Sequence, residues 1–108
     1  MRVLPYRTIT ESGTVLDVSL PLHPETVSPM RVQQLLTALE ETLTREIHVL
    51  GVTSNGDVLQ ALAMALAIRA GLIESAPREA LGLARDLAET ALGAVSAVAL
   101  SRLPAGHA

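Results

Sequence analysis

The chain contains no cysteine. Disulfides, thiolate metal sites and a cysteine nucleophile are excluded, and a reducing compartment is the compatible setting. Tyr6 is the single aromatic residue among 108. The eight basic residues form no cluster and the net charge is −3. Nucleic acid binding needs a basic footprint, and single-strand binding also needs stacking platforms, so neither is expected. No run of like charge marks an interaction tail. The first residues, MRVLPYRTITESG, lack the apolar core of a secretory signal, so a cytoplasmic protein is the expectation. No apolar run reaches the ~20 residues of a bilayer-spanning helix.

Apolar side chains are what the chain has in quantity: 49% of residues are hydrophobic and 18% charged, against a usual charged share of about 25%. Its length suggests one domain, residues 1–104, followed by a tail, 105–108. A domain this small buries only about two-thirds of the surface its unfolded chain exposes. A lone copy would struggle to hide so much apolar area, and self-association is the simplest remedy.

The chain centres on residues 57–73, DVLQALAMALAIRAGLI. Ala, Leu, Met and Gln favour helix, which predicts a helix over 55–70. Between Val58 and Ile68 the one polar side chain is Gln60. A helix without a polar face is expected to be covered on most sides. Ser54 can cap its start with Asp57 reaching back in a capping box, and Gly71 can end it in a left-handed conformation. Ala61 and Ala65 share one face, Ala63 and Ala67 another, which would let a neighbouring backbone approach closely.

Upstream, residues 2–9 read as a strand whose Pro5 places it at a sheet edge, because proline cannot donate to a ladder. Thr10-Glu11-Ser12-Gly13 is a turn signal. In the following segment Leu16, Val18 and Leu20 alternate with Val15, Asp17 and Ser19, which completes a β-hairpin over 2–20. After a connector stiffened by Pro21 and Pro24, Ser28-Pro29 supplies a cap and a proline at the first helical position. The helix it opens, about 29–47, carries Val32, Leu35, Leu36, Leu39 and Leu43 on one stripe. His48–Val52 could add a short third strand, although Gly51 weakens it.

Downstream of the central helix, a short link predicts an antiparallel helical hairpin. Ser75 can cap the last helix, about 76–103, which Pro104 would stop. That helix would overhang its partner, about 40 Å against about 24 Å at 1.5 Å rise per residue. Its second half, 92–100, is almost wholly apolar and needs cover, most simply from the same region of another copy. Leu92, Val95, Val98 and Leu100 are the candidate interface residues. Gly82 and Gly93 weaken the helix and mark either close contacts or, at Gly93, a kink.

The loop 51–57 is the most interesting polar stretch. It precedes a helix N-terminus, where free N–H groups can hold an anion, and Thr53, Ser54 and Asn55 could orient a ligand. It lacks the lysine and glycine spacing of a P-loop, and Asp57 would repel phosphate, so a turn with a helix cap is the plainer reading. Arg69, the one charge inside the apolar helix, either reaches solvent along its stem or meets Asp86 or Glu89. His23, His48 and His107 lie apart and at no metal-ligand spacing, and no metal site or cofactor is expected. Glu40, Glu41 and Glu46 sit on the polar face of the first helix, where Glu41 can pair with Arg45. Ser96 and Ser101 can return their hydroxyls to the backbone, and no nucleophile elbow surrounds them. No catalytic residue is identified, and no motif places the chain in a family.

The residues thus predict an α+β fold: an N-terminal β-hairpin packed on three helices, the last two an antiparallel pair. They favour a non-catalytic self-associating module, a homodimer or higher oligomer. The alternative is a small-ligand binder or small enzyme using the Thr53–Asp57 loop and Arg69.

Overall fold

The computed structural model describes residues 2–102. It is an α+β protein, with two long strands, three helices and a two-residue third strand. By its internal contacts the chain divides into two units: residues 1–27 with 87–108, and residues 28–86.

The strand-bearing unit opens with β1 (Val3–Ile9), paired antiparallel to β2 (Thr14–Pro21). The turn between them forms where the residues predict it. Gly13 donates to the Thr10 carbonyl at 2.9 Å, and the Thr10 hydroxyl accepts the Thr14 N–H at 3.0 Å. Gly13 has φ +88°, the left-handed region that glycine enters without penalty, as a three-residue hairpin loop requires. Thr10 donates to Thr14 at one end of the ladder and Leu22 donates to Arg2 at the other, each at 2.9 Å. Even-numbered β1 residues therefore bond to β2, while Pro5 turns its missing donor outward, as an edge proline should.

Leu4 and Val18 are buried on one face, with their partners Leu20 and Tyr6 half-buried. Val15 is also buried, although it belongs to the opposite face of β2. It lies between Ile9 on one side and Ser101 of β3 (Ser101–Arg102) on the other. Beyond β2, Arg2 pins the connector by donating to the carbonyls of Pro24 at 3.2 Å and Thr26 at 2.9 Å.

The helical unit begins with α1 (Pro29–Leu50). The Ser28 hydroxyl accepts the Arg31 N–H at 3.2 Å, and Pro29 needs no donor at the first turn. The helix runs three residues past the expected end and takes up His48, Val49 and Leu50. The suggested strand over 48–52 therefore does not form. Gly51 stops the helix with φ +88°, while its N–H still bonds to Ile47 at 3.0 Å. Helix α2 (Asn55–Gly71) follows. Gly71 stays helical rather than left-handed, and Leu72 closes the end by donating to Ile68 at 3.0 Å.

Helix α3 (Pro77–Ser96) completes a helical hairpin with α2, with Ala70 and Ala80 buried near the link. The Ala76 carbonyl accepts the N–H of Ala80 at 2.9 Å at the start of the helix. The expected helix to residue 103 ends at Ser96. Val98 turns back to Val95 at 3.1 Å, and the chain enters β3. Residues 103–108, which include Pro104, His107 and the expected tail, lie outside the described residues.

The largest departure from expectation concerns cover. Helix α1 has no buried residue, and α2 buries Ala70 alone. The nearly all-apolar α2 is uncovered on most sides within one copy.

Candidate functional site

The loop from Gly51 to Asp57 is held by backbone geometry at both ends. Thr53 turns its hydroxyl onto the Gly51 carbonyl at 3.2 Å. The Ser54 carbonyl accepts the N–H groups of Asp57 at 3.1 Å and Val58 at 3.2 Å. The Ser54 side chain makes no capping bond, so the expected capping box is absent. The start of α2 is exposed, and water can satisfy its free N–H groups without a side-chain cap. Ser54 and Asn55 are exposed and Thr53 is half-buried.

Arg69 does not join this loop. It sits in the last turn of α2, about 21 Å along the helix from Asn55 at 1.5 Å per residue. There its charge complements the negative end of the helix dipole. It is exposed and makes no ion pair among the described residues. Thr53, Ser54 and Asn55 are thus neighbours in one loop, and the fourth member of the expected set is at the opposite end of the helix.

The remaining polar candidates are dispersed. His23 accepts the Glu25 N–H through Nδ1 at 3.1 Å, a local turn bond. Glu41 and Glu46 are exposed on α1 and Glu40 is half-buried there. Ser96 returns its hydroxyl to the Gly93 carbonyl at 2.9 Å, as expected of a helical serine. Among the described residues no polar or charged side chain is buried, and no three His, Asp or Glu residues converge at metal-binding distance. No described helix is long and apolar enough to cross a membrane.

The apolar candidates are better placed. Leu92 is 70% exposed, Leu100 is 64% exposed, Val95 is exposed and Val98 is half-buried. They do not form one helical stripe, because α3 stops at Ser96 and places Val98 and Leu100 in the segment leading to β3. The apolar stripe of α1 is exposed at Val32, Leu35 and Leu39 and half-buried at Leu36 and Leu43.

Known proteins supply no guide, since no family model, curated protein or solved structure matches the chain.

Proposed function

We propose that the protein is a non-catalytic interaction module that works by self-association, as a homodimer or higher oligomer. One observation carries this reading. Helix α2 leaves Leu59 67% and Ile68 62% exposed, and α1 leaves Leu35 56% and Leu39 57% exposed. Clustered apolar surface of this kind is the mark of a contact site.

In this reading Leu92, Val95, Val98 and Leu100 belong to the contact surface. Desolvating such residues favours association by about 25 cal/mol per Å² of apolar area removed from water. The setting is the cytoplasm, which a cysteine-free chain suits.

Native mass spectrometry with light scattering at micromolar concentration tests the reading. A dimer or larger species is expected, and a clean monomer overturns it. Leu92→Asp, at a position that supports nothing within one copy, is expected to weaken association. Unchanged association would remove the end of α3 from the interface.

A further inference from the structure

Resting on the self-association reading, we infer that the open edge of β2 pairs antiparallel with the β2 edge of a second copy, about a two-fold axis at Val18, so that the two three-stranded sheets become one.

The ladder assigns this edge. Even-numbered β2 residues bond to β1, so Val15, Asp17, Ser19 and Pro21 turn their backbone groups to the other side. There β3 reaches Thr14 and Val15 and goes no further. Asp17 and Ser19 are exposed, and among the described residues neither has a ladder partner on that side. A row of free N–H and C=O groups is a template for another strand. Helices use their backbone groups internally, so only an extended chain satisfies such a row. The outer edge of β1 is closed to the same use, because Pro5 stands in its middle with no N–H to give.

The residues along the edge select both the occupant and the register. With Asp17 opposite Ser19 of the second copy, and the reverse, every free N–H of these residues meets a free C=O. The next outward pair would set Val15 against Pro21 of the second copy. Val15 is already paired with Ser101, and Pro21 has no donor, so the ladder stops there at both ends. Sliding by two residues one way puts Asp17 against its own symmetry mate, and like charges directly opposite are destabilising. It also drives Ser19 against Val15, which β3 occupies. Sliding the other way puts Asp17 against Pro21 and leaves the Asp17 carbonyl without a donor. The favoured register also sets Leu16 beside Leu20 of the second copy, both half-buried. Leu4, Val15 and Val18 are buried within one copy, so the pairing widens a sheet whose core is already in place.

Amide hydrogen exchange of the full chain, followed by NMR from micromolar to near-millimolar concentration alongside sedimentation, tests the pairing. The Asp17 and Ser19 amides are expected to exchange freely in the monomer and to become protected as the dimer forms. A dimer in which both stay unprotected overturns this inference and leaves self-association standing. A chain that is monomeric throughout overturns both.

Variants at Ser19 fix the register. Ser19→Pro removes an outward donor at the position opposite Pro5, so the bonds from β2 to β1 are untouched. It is expected to weaken association about tenfold or more, since a donor is lost from each copy. Ser19→Lys sets a cation opposite Asp17 of the second copy at two symmetric places and is expected to tighten association about threefold. Ser19→Asp sets like charges there and is expected to loosen it by a similar factor. Gln33→Lys changes the net charge as Ser19→Lys does, on the polar face of α1, and is expected to leave association unchanged. If Ser19→Lys and Ser19→Asp act alike, the inference falls.

Discussion

In the strand-bearing unit Leu4, Val15 and Val18 are withdrawn from water, whereas the helical unit buries two alanines, Ala70 and Ala80, and leaves most of its leucines and isoleucines exposed. The contrast follows from how each kind of element finds a partner. A hairpin turn of a few residues returns β2 to β1 at once, and cross-strand pairs such as Leu4 with Leu20 and Tyr6 with Val18 follow from the register. A helix satisfies its backbone alone and leaves its apolar face to be covered by something else. Ala70 and Ala80, on either side of the link between α2 and α3, are buried, but most of the larger apolar residues of α1 and α2 remain exposed. Within one copy the sheet carries its core, and the helices leave most of their larger apolar side chains exposed.

The largest expected effect tests the sheet side of that contrast. Leu4→Ala should cost about 2–5 kcal/mol, the range for truncating a buried leucine. The loss, measured by urea unfolding, should not depend on protein concentration if the strand-bearing unit is self-sufficient. A concentration-dependent loss would show that this unit too is completed by another copy.

Two changes of about 1 kcal/mol probe the helices. Ser28→Ala removes the hydroxyl that caps α1 and should lower stability by about 1 kcal/mol in chemical denaturation. Gly82→Ala is informative through its sign. Nothing lies within 4 Å of a methyl group built there, so a helix free of close neighbours gains about 1 kcal/mol. A loss that grows with protein concentration would instead place another copy against that face of α3. The smallest effect is reserved for Ser54→Ala. Its hydroxyl caps nothing, so stability should stay within about 0.5 kcal/mol of the parent. A larger drop would mean that Ser54 acquires a partner on assembly or on ligand binding.

Much of the local structure was legible. Thr10-Glu11-Ser12-Gly13 specified a turn through a glycine at the position needing positive φ. Ser28-Pro29 specified a helix start through a hydroxyl acceptor and a residue with no donor to lose. Both signals act within a few residues. The ends of the helices were less legible. His48–Leu50 alone fits helix or strand, and it joined α1 because α1 was already formed and Gly51 came next. Residues 97–100 look helical by composition, yet the chain leaves the helix so that Ser101 and Arg102 can pair with Val15 and Thr14. A two-residue strand has no periodicity, and its partner lies more than eighty residues away in sequence. The candidate ligand set was divided for a simpler reason: a continuous α2 carries Arg69 to the end opposite Thr53, Ser54 and Asn55.

The amino-acid order by itself determined the elements: where strands alternate, where helices start, and that α2 would be apolar all round. These depend on short-range sterics, hydrogen bonding and side-chain periodicity, which neighbouring residues settle among themselves. Only the tertiary structure decided which apolar faces find cover within one copy, that a third strand comes from residues 101–102, and that the surface of α1 and α2 stays open. Those outcomes depend on contacts between distant segments, and on how much area one chain of this size can fold over itself.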